Sequence, residues 1–239
     1  MLNQSFINKY RPRNINEIVG QGDSLDLIKN GLKSKKLPQL ICVTGEAGVG
    51  KTSLAFSISR AINCKSYDYE QLLLCGKCAC CIAGDRNNTA FNFIPCSENG
   101  VSQEELSKFK TLASIPFFSF KYRVLFFDEI HEWFPERQAK LTSLLDTLPT
   151  NAFVICATYK PDKLEEAFVS RFQIVKMQIP GASDIKNLLL NISKKENASV
   201  REETINKIVK ENWSSPRTAI VALEREILKL NNSLSGTVK

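Results

Sequence analysis

The sequence predicts an α/β protein built on a parallel sheet with helices on both faces, followed by a small helical domain. Three observations predict it. Short apolar runs rich in branched and aromatic residues alternate with amphipathic helical patterns. A glycine-rich loop ending in Lys-Thr joins the first of these runs to the first of these helices. After Phe172 the alternation stops, and apart from one short run only helical patterns follow.

The strands are read at Leu40–Thr44, Phe91–Pro95, Arg123–Phe127 and Phe153–Ala157, continuous apolar runs that suit burial on both faces. Helical patterns lie between them at Ser53–Asn63, Gln103–Ser114 and Arg137–Leu148. In the last, Leu141, Leu144, Leu145 and Leu148 make an i, i+3, i+4, i+7 stripe. A further strand, Ile174–Gln178, precedes Pro180-Gly181, and three amphipathic helices follow at Ala182–Asn197, Glu202–Asn212 and Pro216–Leu230. Ser183 is expected to cap the first of these, and Pro216 fits the first helical position behind Ser214 or Ser215. The chain is therefore divided into residues 1–179, the sheet domain, and 180–239, the helical domain.

A chain of 239 residues, 43% hydrophobic and 24% charged, buries a real core, which excludes a disordered tail or a disulfide miniprotein. Apolar runs such as Val124–Phe127 are far shorter than the roughly 18–20 residues that span a bilayer. The start, MLNQSFINKYRPR, has no apolar core of a secretion signal, so a cytoplasmic protein without a membrane anchor is expected. The formal charge of +7 is concentrated in residues 1–60 and 160–239 and suits a polyanionic partner without demanding one.

Gly45-Glu46-Ala47-Gly48-Val49-Gly50-Lys51-Thr52 matches the G-x-x-x-x-G-K-[ST] pattern in full, with Ser53 next in the helix. The bare pattern arises by accident in about one chain in a hundred of this length, and its place between strand and helix makes it specific. Glycines let backbone N–H groups wrap phosphates and the helix N-terminus favours negative charge. Lys51 is read as bridging the β- and γ-phosphates of ATP, and the Thr52 hydroxyl as holding Mg²⁺. Val124-Leu125-Phe126-Phe127-Asp128-Glu129 supplies the other half of such a site. Asp128 stands at the C-terminal edge of a buried strand, where it would bind Mg²⁺ through water, and Glu129 would orient and deprotonate the attacking water. His131, the single histidine, is expected to tune or pack beside this edge.

Five of the eight cysteines crowd between Cys64 and Cys81. Cys75-x2-Cys78-x2-Cys81, with Cys64 upstream, gives four thiolates able to close a tetrahedral structural Zn²⁺ site. Cys80 is the surplus thiol and could stand in for Cys81, although the x2 spacing favours Cys81. Cys42 and Cys156, inside predicted strands, read as buried small apolar residues.

Lys9-Tyr10-Arg11-Pro12, Ile18-Val19-Gly20-Gln21, the loop at 45–52, Asp128-Glu129-Ile130-His131, Ala157-Thr158, Ser170-Arg171-Phe172 and Ser215-Pro216-Arg217 follow one another in an order that resembles the AAA+ clamp-loader ATPases. Within them the chain is most similar to the gamma/tau subunits of bacterial DNA polymerase III. The resemblance implies a zinc module within 64–81 and a helical lid at 180–239. It implies that Tyr10, Arg11 and Pro12 lie near the adenine and that Val19 and Gly20 help form its pocket. Thr158 would be sensor 1, Arg171 a finger acting on a neighbouring subunit's nucleotide, and Arg217 sensor 2. A guanidinium supplied in trans would stabilise charge developing on the transferred phosphoryl group. The function implied is ATP-driven opening and loading of a sliding clamp onto primer-template DNA, in an oligomer with other clamp-loader subunits. The resemblance departs at Phe172, where the family usually has Cys, and in the family's helical collar domain, which the 239 residues do not include. Two other readings are a helicase or remodeller motor of the same superfamily and a non-hydrolysing, delta-prime-like scaffold. Ser102–Phe120 and the region of Trp133 and Phe134 are candidate DNA- or clamp-facing surfaces.

Overall fold

The computed structural model describes residues 4–83, 90–96 and 120–235, with side chains through residue 230. The helix expected at Gln103–Ser114, and all of Ser102–Phe120 except Phe120, lie outside the described residues.

Among these residues, β1 (Leu40–Thr44), β2 (Phe91–Pro95), β3 (Arg123–Asp128), β4 (Ala152–Thr158) and β5 (Gln173–Lys176) form one parallel sheet in the order β2-β3-β4-β1-β5. The pleat sends alternate side chains to opposite faces. Val124, Phe126, Phe153, Ile155 and Ala157 join one core with Ile41 and Val43, while Leu125, Phe127, Ala152, Val154 and Cys156 join another with Cys42. Both faces are therefore covered, and each fully buried aliphatic side chain contributes about 1.5–3 kcal/mol through loss of water-exposed area. Cys42 and Cys156 are register partners and wholly buried, and burial pushes the Cys42 thiol up to about 12, so both act as small apolar residues.

The first face is covered by α2 (Asp26–Lys33) and α3 (Lys51–Asn63), after a short α1 (Phe6–Lys9); α4 (Ala79–Ile82) lies within the cysteine segment. The second face carries α5 (Pro135–Leu145) and α6 (Glu166–Val169). α5 starts at Pro135, whose missing N–H costs nothing at a first helical position. Buried Gln138 ties it to α6: its side-chain N–H donates to Trp133 O at 3.0 Å, and its carbonyl accepts from the Glu165 N–H at 2.9 Å.

The chain then enters α7 (Ala182–Lys195), α8 (Glu202–Asn212) and α9 (Pro216–Ser235), which pack around their own core of Ile185, Leu189, Ile205, Ala219 and Leu223. Ser183 does not cap α7. Gly181 is the capping residue, its N–H donating to the Asp184 carboxylate at 3.1 Å, so Ser183 falls inside the first turn. α9 begins at Pro216, where the Ser215 hydroxyl accepts from the Thr218 N–H at 3.4 Å.

Two long-range links tie down the start of the chain, one to this helical bundle and one to the exit from β5. Phe6, Ile7 and Tyr10 pack on its core, while the Ser5 hydroxyl and the Phe6 N–H donate to the Glu224 carboxylate at 3.2 and 3.1 Å. Buried Gln21 makes a strand-like pair with the exit from β5, donating to Gln178 O at 2.9 Å and accepting from the Gln178 N–H at 3.0 Å. No helix among the described residues is long and apolar enough to cross a membrane.

Candidate functional site

A cleft of about 970 Å³ opens at the C-terminal ends of the strands, between the sheet and the helical bundle. Its floor is the loop between β1 and α3. Gly48 holds φ of +83°, and a Cβ there would lie 2.2 Å from the Ser215 hydroxyl, so only glycine allows the loop to turn this close to the start of α9. Lys51 is almost fully buried, and its ammonium donates to the carbonyls of Gly45 at 2.9 Å and Glu46 at 3.1 Å. Burial pulls its pKa down, against the opposing pull of the Glu129 and Asp128 carboxylates. Gly48, Val49, Gly50, Thr52 and Ser53 border the same cleft.

Asp128 ends β3 and also lines the cleft, within hydrogen-bonding reach of the Thr52 hydroxyl. Burial raises its pKa and that of Glu129, with Lys51 pulling both back down. Glu129 sits in the left-handed region at φ +56°, a costly conformation for a non-glycine residue. Glu129 borders the cleft, while its buried Oε2 lies 3.4 Å from His131 Nδ1 and makes no hydrogen bond among the described residues. Two carboxylates beside a buried lysine and a glycine-built loop in one cleft fit a site for a polyphosphate, a divalent cation and a water molecule.

Behind this wall lies His131, its side chain shut off from solvent. Nε2 is 2.9 Å from the Glu132 carboxylate, and Nδ1 is 3.0 Å from the Thr158 hydroxyl and 3.4 Å from Glu129. Because a carboxylate only accepts, the partners assign the proton to Nε2 and leave Nδ1 to accept from Thr158. Thr158 is fully buried at the end of β4 and does not form part of the cleft wall; its hydroxyl meets His131, which stands behind Glu129.

The bundle closes the cleft from above with Arg217, close enough to act electrostatically on Lys51, Asp128 and Glu129. Tyr10, Arg11, Pro12, Val19 and Gly20 line the far end. The Tyr10 hydroxyl donates to Glu196, and burial together with that carboxylate raises its pKa to about 12. Arg11 lies over the Phe56 ring at 5.3 Å. The same end is lined by Asn187, Leu188, Asn191 and Lys195 of α7, which the motif reading did not single out. Their i, i+4 spacing on one face of an amphipathic helix was the available signal, because that face is too polar to join the bundle core.

Arg171 and the region of Trp133 and Phe134 lie away from this cleft. Arg171 is not brought to this cleft: its guanidinium pairs with Asp146 at 3.1 Å and donates to Ala167 O at 2.6 Å. Trp133 is not a surface residue, as expected from sequence, but is buried with its ring 5.4 Å from that of Phe127; adjacent Phe134 is exposed. Trp133 turns inward because the turn after β3 directs it onto the second core.

The Cys64, Cys75, Cys78 and Cys81 sulfurs all lie within 4.8 Å of one another. The separations 75–81, 78–81 and 81–64 are 3.8, 3.4 and 3.6 Å, close to the ~3.8 Å between sulfurs of a tetrahedral site with Zn–S bonds near 2.3 Å. Backbone N–H groups of Lys77 and Cys78 lower the Cys75 pKa to about 6, favouring a thiolate. Cys80 points away, its Sγ 3.7 Å from Arg60 O, so Cys81 and not Cys80 completes the cluster. These four sulfurs fit a structural metal site.

A five-stranded parallel sheet carrying a phosphate loop after β1 and paired carboxylates after β3 defines a P-loop α/β protein. Residues 41–179 match the family model described as "ATPase family associated with various cellular activities (AAA)", and the chain belongs to that family. It is 28% identical over 228 residues to the DNA polymerase III subunit gamma/tau of Mycoplasma genitalium, covering 94% of this chain and 37% of that protein. It is 26% identical over 240 residues to the DNA polymerase III subunit tau of Bacillus subtilis, covering 97% and 42%. The chain thus spans about two-fifths of the length of these relatives. Among solved structures, the Thermotoga maritima RuvB Holliday junction branch migration motor shares the fold, with a TM-score of 0.67 at 18% identity over 93% of this chain and 67% of that one.

Proposed function

We propose that this chain is an ATP-hydrolysing clamp-loader subunit which, in an oligomer with partner subunits, opens a sliding clamp and releases it onto primed DNA. The observation that carries the ATPase part is that Lys51, Asp128 and Glu129 of the sheet domain (1–179) and Arg217 of the helical domain (180–239) border one cleft. The clamp-loading part rests on similarity to gamma/tau subunits along nearly the whole chain.

In this reading the backbone N–H groups of Gly45–Ser53 and the Lys51 ammonium hold the ATP phosphates, and Tyr10, Arg11, Pro12, Val19 and Gly20 enclose the adenine. Thr52 and Asp128 are the residues that hold Mg²⁺, whose chemistry is to offset charge on the phosphate oxygens. Glu129 accepts the proton of a water that attacks the γ-phosphorus, the bond to the β-phosphate oxygen breaks, and ADP leaves. Thr158 acts on Glu129 through His131, as sensor 1. Arg217, on the helical lid, reports the γ-phosphate to the bundle as sensor 2, so hydrolysis loosens the lid. Arg171, outside its own cleft and held to exposed Asp146, serves the site of a neighbouring subunit. The four-cysteine cluster holds a structural Zn²⁺, since four protein ligands leave no open position for catalysis. DNA contact is to the phosphate backbone and the setting is cytoplasmic.

ATP turnover is measured with no addition, with clamp, with primed DNA, and with both. Stimulation only by both together supports loading. Stimulation by DNA alone supports a translocating motor, and no turnover at any protein concentration supports a scaffold.

A further inference from the structure

A second cleft, of about 590 Å³, lies at the opposite edge of the sheet, beside the start of β3 and β4 and next to the cysteine cluster. Its volume is within the range of ligand sites, roughly 300–1,000 Å³. Three lysines, Lys35, Lys65 and Lys121, line it with two tyrosines, Tyr69 and Tyr122, and no described lining residue is a carboxylate. Among the described residues none of the three lysines is ion-paired. The Lys35 ammonium instead lies 4.8 Å from the centre of the Tyr69 ring, and that of Lys121 4.9 Å from the Tyr122 ring. These contacts place both cations over aromatic faces.

Lys35 carries a further mark. It follows the C-terminus of α2 at φ +57°, where glycine is the usual residue, with its N–H donating to Leu32 O at 3.0 Å. A lysine stands there at a conformational cost that glycine avoids, and its side chain is what the position gains. Concentrated cations beside aromatic faces suit one chemistry, a flat ring bearing a phosphate.

We propose that this cleft binds a nucleotide unit of single-stranded nucleic acid, with its phosphate among Lys35, Lys65 and Lys121 and its base on the ring of Tyr69 or Tyr122. The lysines shift from ring to phosphate as the base arrives. The proposal does not depend on hydrolysis or clamp loading, because the cleft is on the far edge of the sheet from the phosphate loop.

The test uses the full chain and a fluorescent oligothymidylate, followed by anisotropy across a salt series, with thymidine monophosphate and a blunt duplex as competitors. Lys35→Gly, which relieves the backbone, and Lys35→Glu/Lys121→Glu should leave folding and ATP binding unchanged. The double variant should weaken the oligonucleotide at least about tenfold and flatten the salt dependence by about 0.7 per lost phosphate contact. Ultraviolet crosslinks should map to Tyr69 or Tyr122. Unchanged affinity in the double variant, or crosslinks mapping elsewhere, would overturn the site. Equal competition by thymidine monophosphate would overturn the strand as the source of the nucleotide, and equal competition by duplex would overturn recognition of an unpaired base.

Discussion

The Nδ1 atom of His131 lies 3.0 Å from the Thr158 hydroxyl, which links the turn after β3 to the end of β4. The same nitrogen is 3.4 Å from Glu129, and Nε2 is 2.9 Å from Glu132. The buried ring therefore packs between the Thr158 hydroxyl and the Glu129 carboxylate, seating the turn after β3 against the end of β4. His131 thus backs the carboxylate proposed to activate water, and the expectation that it positions Glu129 by packing is testable.

His131→Phe keeps most of the ring volume and removes both nitrogens. It should lower kcat for ATP by up to about 10²-fold, the scale of a small misplacement of a reacting group. KM for ATP should stay close to that of the parent, because the phosphate loop is untouched. Steady-state kinetics check this, and an unchanged kcat would remove His131 from the mechanism.

Burial holds the His131 pKa below 6.5, outweighing the upward pull of Glu132; Lys160 and Lys163 add to the lowering. A histidine depressed in the folded state takes up its proton more readily when unfolded. Its contribution to stability is therefore complete above pH ~6.5 and lost as pH falls below that value. Urea unfolding should show a lower midpoint at pH 5.5 than at pH 7.5, and in His131→Phe the difference should shrink. Carboxylates such as Glu196, held low by Lys9 and Tyr10, lose their contribution only at more acid pH.

Gly48→Ala places a Cβ 2.2 Å from the Ser215 hydroxyl and forces alanine to φ +83°. Destabilisation of about 1–3 kcal/mol is expected, with weaker ATP binding. Adding Ser215→Ala should recover only part of the loss, because it relieves the clash and not the backbone. Thermal unfolding with and without ATP separates the two effects.

Purified without refolding, the chain should carry about one zinc per molecule by mass spectrometry. Cys81→Ser should lose the metal and Cys80→Ser should retain it, since the Cys80 sulfur faces Arg60 and not the cluster. Less than half an equivalent in the parent would sink the site.

The strands were legible because a parallel sheet covered on both faces demands continuous apolar runs, and the runs at 40–44 and 91–95 match β1 and β2 residue for residue. The phosphate loop, Asp128 and Glu129 were legible because their chemistry fixes both residue type and spacing. The α7 side of the cleft was not. Asn187 and Asn191 carry only a weak signal, their spacing on one helix face, and they line the cleft because Glu224 and Glu196 draw Ser5, Phe6 and Tyr10 onto the bundle across more than 180 residues. Helix α2 was missed because it is only eight residues long, carries Gly31 inside it and buries only Ile28 and Leu32. Trp133 was misread because an aromatic residue next to a charged turn gives no sign of which way the turn sends it.

Whether the cleft beneath Arg217 hydrolyses ATP is decided by phosphate release from the parent and from Lys51→Ala, with ATP binding followed in parallel. The parent should bind and turn over ATP while Lys51→Ala falls to background, since the lysine is the one ammonium set into the phosphate loop. Turnover by Lys51→Ala at the parent rate would contradict the account.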